Sequence, residues 1–309
     1  MIRRPHLYHD DPREFRLKLS EGNAHLHVAA FLAQRRGLPV PHYEGTGCVM
    51  AAGGRRYLRE AFMTVSRIRE SGWDWPIQIW HLGHKELAPD MPHRFDHLDV
   101  EFVDAQLVAN KHPVRILQGW PLKSYMVANC PFRNVLLLDS DSAPVRDPMP
   151  FFESPEFQQH GAVFFPDIAK NLKDYKAFGF IGLKAPIHYT ETESGQLMVD
   201  KVRCWRALEL VRWMNDYADF WFKYMHGDKE TWPLAFMRHG TRFTMAPPCR
   251  WEPFGIEQNW FDGQPLFEHR LSRKYNPGAY VSPQDFYYGQ QFDGYELQAR
   301  NNVSVLTPR

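Results

Sequence analysis

The segment Val135-Leu136-Leu137-Leu138-Asp139-Ser140-Asp141 decides how the chain is read. Four apolar residues run without interruption into two carboxylates one residue apart. A short, unbroken apolar run suits a strand buried on both faces of a parallel sheet. Open α/β sheets bind ligands in the crevice beyond the carboxyl ends of such strands. Successive side chains on extended backbone alternate, so Asp139 and Asp141 point the same way there. Two carboxylates aimed at one point repel unless a cation lies between them. Hard divalent ions take oxygen ligands and are often completed by substrate phosphates. The stretch therefore predicts a metal site that grips a diphosphate. The alternative is a polar loop in which both aspartates cap turns.

The rest of the chain sets limits on that reading. Its 309 residues are 44% hydrophobic, ordinary for a globular protein with a sizeable core. Aromatic content is 15%, with ten Trp and thirteen Tyr, enough to line a core and still leave rings for stacking on a base or sugar. A net charge of +1, with the basic residues dispersed, shows none of the basic striping of a general nucleic-acid binder. Cys48, Cys130, Cys204 and Cys249 are far apart in sequence and form no Cys-x-x-Cys, which argues against structural zinc or a disulfide framework and fits a reducing compartment. The first residues lack the apolar core of a signal peptide, and no run of about 18 apolar residues occurs, so no membrane span is expected and a cytoplasmic location is.

Working outward from the segment, Glu21 to Arg35 reads as a helix within an N-terminal extension, residues 1–44. Gly47 to Gly54 reads as a first strand ending in a glycine turn, and Arg55 to Ser71 as a helix closed by Gly72. Strands follow at Pro76–Trp80 and Asp99–Val103, then a helix at Leu122–Asn129 leading into the Val135 strand. This alternation predicts an α/β fold with a mostly parallel, Rossmann-like sheet flanked by helices. Past Asp141 prolines punctuate the chain. Short strands are expected at 161–165, 193–199, 243–245 and 266–269. The longest helix is expected at Lys201–Met225, from Trp205, Leu208, Val211, Tyr217, Trp221 and Met225 at helical spacing, and another at Asp228–Arg238 with a bend near Pro233. Residues 45–309 are expected to form one domain in two halves, 45–148 and 149–309, the second including the C-terminal tail.

Several residues beyond the two aspartates have the right chemistry. Gly53 and Gly54, at a strand-to-helix turn, allow backbone N–H groups to approach an anion, or simply make a tight turn. No P-loop or Gly-x-Gly-x-x-Gly is present, which disfavours an ordinary NTPase or dinucleotide dehydrogenase. Lys123 opens the helix before the aspartates and can neutralise a diphosphate or be solvated. His269 and Lys274 follow an apolar, strand-like stretch; an imidazole is a reasonable Mn²⁺ ligand, and a nearby lysine suits the phosphates. Asp228 stands where a helix cap would, whereas Glu193 opens a strand with no such simple account.

Taken together these elements resemble the GT-A glycosyltransferases. More closely, they are similar to the fungal α-mannosyltransferase family that includes the yeast Golgi α-1,3-mannosyltransferases. LLLDSDSAPVRDP (136–148) resembles that family's metal-binding region, and GCVMAAGGRRY (47–57) its first strand and glycine turn. IQIWHL (77–82) looks like its second strand, and Leu122-Lys123-Ser124-Tyr125 like its lysine-bearing helix. ESGQLMVDK (193–201) and GDKET (227–231) look like its acceptor-side motifs, and FEHRLSRK (267–274) like its closing histidine–lysine element. The matches keep their order over residues 45–275.

The resemblance implies a GT-A fold and transfer of a hexose, mannose favoured, from a nucleotide-sugar donor such as GDP-mannose or a UDP-sugar, with retention of configuration. It implies Mn²⁺ or Mg²⁺ held by Asp139, Asp141 and His269, and phosphates met by Lys123 and Lys274. Gly53, Gly54, Arg55 and Tyr57 would lie near the nucleotide, and Glu193 and Asp228 would face sugar and acceptor as the catalytic carboxylates. The acceptor is left open among glycan, lipid-linked sugar, protein and modified nucleic acid. The fungal enzymes are anchored in membranes. The absence of an anchor here points to a soluble bacterial or viral relative. Rivals are a metal-dependent nucleotidyltransferase or phosphatase, and a non-catalytic nucleotide- or carbohydrate-binding protein.

Overall fold

The apolar run at 135–138 is fully buried and alternates between two separate cores: Val135 and Leu137 face one, Leu136 and Leu138 the other. A strand with no solvent face cannot afford polar side chains until it ends, which is why the polarity changes so abruptly at Asp139. The structure, a computed structural model, describes residues 17–168, 175–253, 255–271 and 288–293.

In chain order, α1 (Ala24–Arg35) precedes β1 (Glu44–Ala51), α2 (Gly54–Glu70), β2 (Ile77–His81) and β3 (Glu101–Asp104). Next come α3 (Ala105–Ala109), α4 (Pro121–Asn129), β4 (Phe132–Asp139) and β5 (Ser142–Pro144). The second half holds α5 (Pro155–His160), β6 (Ala162–Pro166), α6 (Lys176–Phe180), β7 (Thr192–Asp200), α7 (Trp205–Asp216), α8 (Ala218–Trp221) and α9 (Thr231–His239). Four short strands follow: β8 (Thr244–Met245), β9 (Arg250–Glu252), β10 (Gly255–Asn259) and β11 (Pro265–His269).

A seven-stranded sheet runs in the order β3-β2-β1-β4-β7-β6-β8. All its pairings are parallel except those of β7, which lies antiparallel to both β4 and β6. The expected α/β fold with a mixed, mostly parallel sheet is what the chain adopts. Helices α1, α4, α7, α8 and α9 supply one core, with Phe31 of α1 against Trp213 of α7 at 5.5 Å, and α2 anchors the other. A second sheet, β5-β11-β10-β9, is entirely antiparallel and packs on the α2 side.

Two helices differ from the expectation. The long helix at Lys201–Met225 is divided into α7 and α8, so that α2, with 17 residues, is longer. The division falls at Asp216–Tyr217, where Arg115 intervenes. Its backbone N–H donates to the Asp216 carboxylate at 3.0 Å and its guanidinium donates to the Asp216 carbonyl at 2.9 Å. That carbonyl is thereby satisfied from outside the helix. The following helix begins at Thr231 rather than Asp228, which places Pro233 in the first turn of α9, where the missing N–H has no intrahelical partner to lose. No described helix is long and apolar enough to cross a membrane.

Because Leu137 is fully buried on the central strand, Leu137→Ala removes packing that its neighbours cannot refill. We expect a loss of about 2–5 kcal/mol in unfolding free energy, measured by guanidinium titration.

Candidate functional site

The site forms where β4 and β11 end. Asp139 is the last residue of β4, opposite Ala51 of β1, so both carboxyl ends open into one crevice. Ser140 is held down by α2: its hydroxyl donates to Glu60 at 3.1 Å, and its carbonyl accepts from Thr64 at 2.7 Å. This clamp on the middle residue fixes the directions of Asp139 and Asp141. His269 arrives through pairing in the second sheet. It lies opposite Ser142, and the N–H of Arg270 donates to the Asp141 carbonyl at 3.0 Å. The imidazole Nε2 then stands 3.3 Å from Asp141 Oδ1 and 3.9 Å from Asp139 Oδ2.

One ligand atom from each of Asp139, Asp141 and His269 lies within 4.8 Å of the others. An imidazole nitrogen facing two carboxylates can either donate an N–H to one of them or share a metal ion with both. Two carboxylate oxygens and an imidazole suit a hard-to-borderline divalent ion such as Mn²⁺, so the donor set fits the expected group. Gly195 in β7 leaves room for the imidazole, since a Cβ there would overlap its Cε1 and Nδ1.

Behind the aspartates lies a buried ion cluster. The Lys123 ammonium is 2.7 Å from Asp139, 3.9 Å from Asp228 and donates to the Ser194 carbonyl at 3.0 Å. Burial opposes that charge, but Asp139, Asp228 and Glu193 outweigh it and hold the ammonium above the ordinary lysine value. Asp228 accepts from Ser194 Oγ at 3.1 Å and from Trp232 Nε1 at 3.0 Å. Burial pushes its carboxyl upward, against the pull of Lys123. The next acid along, Glu230, is more strongly affected: burial raises it to about 7, against the Tyr189 hydroxyl, Lys229 and the Thr192 N–H, which favour ionisation.

In front of the aspartates is a cleft of about 520 Å³ lined by Gly53, Tyr57, Trp80, Glu86, Trp120 and Lys123, among others. The bare Cα of Gly53 admits the Glu86 side chain, which would overlap any Cβ placed there. Glu86 also accepts the Leu82 N–H at 2.8 Å, and its carbonyl takes the Gly54 N–H at 2.7 Å. The first N–H of α2 is therefore engaged within the protein.

The sequence-predicted residues separate into groups. Asp139, Asp141 and His269 converge, with Lys123 against Asp139. Gly53 and Tyr57 line the cleft, with half the Tyr57 ring exposed. Arg55 turns to Asp293 at 3.0 Å, and Gly54 makes the turn at φ +72°. Glu193 sits behind the imidazole, 3.5 Å from His269 Nδ1, and accepts the Gly195 N–H at 2.9 Å. Asp228 is buried against Lys123 rather than capping α9. Lys274 lies outside the described residues. Glu86 and Trp120 escaped the sequence reading. Glu86 sits in a loop without pattern. Trp120, half exposed before Pro121, had only its helix-opening position to signal it.

The chain is similar to several known proteins. Residues 45–191 match a family model described as "Mannosyltransferase putative". The α-1,2-mannosyltransferase MNN2 of Saccharomyces cerevisiae is 20% identical over 351 residues, covering 91% of this chain and 57% of its own length. The α-1,2-mannosyltransferase MNN21 of Candida albicans is 26% identical over 259 residues, covering 65% of this chain and 39% of its own. The chain thus spans about half the length of the curated relatives it matches. Among solved structures, it is similar to the Streptococcus pneumoniae glycosyltransferase GlyE, with a TM-score of 0.49 and 11% identity over 84% of this chain and 64% of that one. Mouse xyloside xylosyltransferase 1 gives a TM-score of 0.45 and 14% identity over 65% and 85%. The homology is to glycosyltransferases. Among them the chain is similar to fungal α-1,2-mannosyltransferases at 20–26% identity, whereas the sequence reading points to the family that includes the α-1,3 enzymes.

Two measurements test this geometry. Gly195→Ala should displace the imidazole and weaken Mn²⁺ binding on the order of 10–100-fold by calorimetry, as loss of an orienting contact does at metal sites. Glu230 binds its proton more tightly in the folded than in the unfolded chain, since its folded value is about 7 against an ordinary 4.5. Its contribution to stability is therefore full below about pH 4.5 and lost as pH rises through about 7. The stability of the wild type relative to Glu230→Gln, from paired denaturation curves, should fall across that interval and level off above it.

Proposed function

We propose that the chain transfers mannose from GDP-mannose to an acceptor hydroxyl, in a reaction dependent on Mn²⁺ or Mg²⁺ at the Asp139–Asp141–His269 site. The observation that carries this reading is the convergence of those three side chains beside a cleft that Asp139 and Asp141 line. Asp139, Asp141 and His269 would hold the ion. When bound, it stabilises negative charge on a departing diphosphate. The family match and the fungal relatives favour mannose. Their names also favour an α-1,2 linkage. GDP-mannose carries its sugar in the α configuration, so an α-linked product requires net retention.

The chain's own residues take defined parts in this scheme. Lys123 fixes the direction of Asp139 from 2.7 Å, and Asp228 faces the same ammonium at 3.9 Å. Glu193 acts on His269 as a positioning residue, since it meets the imidazole from the side away from the aspartates. Tyr57 and Trp120 offer exposed rings at the cleft for the flat or apolar faces of base and sugar. Glu86 offers a carboxylate to hydroxyls of the donor. We further propose a reducing, cytoplasmic setting, in keeping with four free cysteines.

The test is a donor screen of GDP-mannose, UDP-glucose and UDP-galactose with Mn²⁺, Mg²⁺ or chelator, reading the released nucleotide and sugar. GDP and mannose should appear only with the ion. Asp141→Asn should slow their release on the order of 10²–10³-fold while the fold, followed by circular dichroism, is retained. Release that ignores both chelator and Asp141→Asn sinks the proposal. Pyrophosphate or inorganic phosphate in place of GDP would instead indicate nucleotidyl transfer or phosphatase chemistry.

A further inference from the structure

Away from the cleft, α1, α7 and α9 enclose a second pocket of about 580 Å³. Arg35, Arg36, Arg206, Arg238 and His239 line it, and no described lining residue is acidic. Among the described residues, the carboxylate paired with these arginines is Glu209, 2.6 Å from Arg206 and 3.8 Å from Arg35. Four guanidinium groups thus face one carboxylate in a chain whose net charge is only +1. The C-termini of α1 and α9 also end here, and each contributes roughly half a negative charge. Among the described residues, about two positive charges remain without a counter-charge.

The donors are also not used up. Arg35 is 4% exposed, yet its Nε has no hydrogen-bond partner. The Nε of Arg238 is likewise buried without one, and that side chain makes no ion pair among the described residues. Leaving such groups unmet is costly, because a buried donor without an acceptor forfeits its hydration. His239 senses the same field: burial first, and then the Arg206 charge, lower its imidazole pKa.

From this surplus and these idle donors we infer that the pocket binds a phosphate monoester. The fork of a guanidinium matches phosphate oxygens, and a monoester carries about −1.5 to −2 charges near neutral pH, close to the surplus. The volume exceeds that of phosphate alone. Ala29, Leu32 and Ala33 on α1 offer an apolar wall to whatever the phosphate is attached to. The site is independent of the proposed transfer reaction, since none of its residues lines the cleft.

Calorimetry on the full chain, with chelator present, tests the inference using inorganic phosphate and a hexose 6-phosphate. Co-sedimentation with vesicles of phosphatidate in phosphatidylcholine asks whether a lipid headgroup is the source. Saturable binding of any of these probes should weaken at least tenfold in Arg36→Gln, at an exposed position that should not disturb folding, and in Arg238→Gln. It should persist in Asp141→Asn. Soluble esters bound without vesicles would identify a soluble ligand, and vesicle binding with the same arginine dependence a headgroup. No saturable binding of any probe, binding unaltered by both arginine variants, or binding lost in Asp141→Asn would overturn the inference.

Discussion

The candidate site depends on one buried ammonium. Lys123 is 6% exposed and Asp228 is 2% exposed, and neither charge could stay there alone. Paired, and joined to Asp139, they form a cluster whose polar atoms are met by Ser194 and Trp232. Removing the lysine would leave two carboxylates facing apolar surroundings and each other. The ammonium thus permits a pair of acids at the end of an apolar strand, and it draws α4, β4, β7 and the start of α9 to one point.

The second constraint is topological. Because β7 runs antiparallel to β4, its first residues, Glu193 to Gly195, come to the carboxyl end of β4. A parallel strand there would have brought its last residues instead. The small antiparallel sheet does the same for His269, which reaches Asp141 by pairing with β5 immediately after the aspartates. One histidine is thereby gripped between two sheets, with Gly195 on one side and Asp141 on the other. The absent side chain of Gly195 is as necessary to that grip as any group present.

The sequence made the strand–helix framework legible where burial was two-sided or amphipathic. β4 could be read from its apolar run, and α2 from Leu58, Phe62, Val65 and Ile68 at helical spacing. The end of α7 could not be read, because the aromatic pattern continues into α8 and the interruption comes from Arg115, about a hundred residues earlier. β5, β9 and β10 also went unseen; Gly255–Asn259, for instance, holds a single large apolar side chain, Ile256, so no hydrophobic pattern marks it. At the site, Asp139 and Asp141 were legible as a pair, and His269 only through its resemblance to a motif. Lys123 was legible as a cation near the aspartates, whereas its buried partners Ser194 and Asp228 were not.

The sequence by itself determined which residue types are available and where the chain must bury itself: a two-faced strand, acids at its end and glycines at its turns. These follow from local periodicity and from the cost of placing polar groups in apolar surroundings. Only the tertiary structure decided which charges meet. Ion pairs and hydrogen bonds join residues separated by 16, 71 or more than a hundred positions, as in Lys123 with Asp139, Lys123 with Ser194, and Asp141 with His269. Such encounters are fixed by strand order and direction. Alternation of strands and helices along the chain foretells a mostly parallel sheet, but not the strand order or the reversal of β7 that brings these groups together.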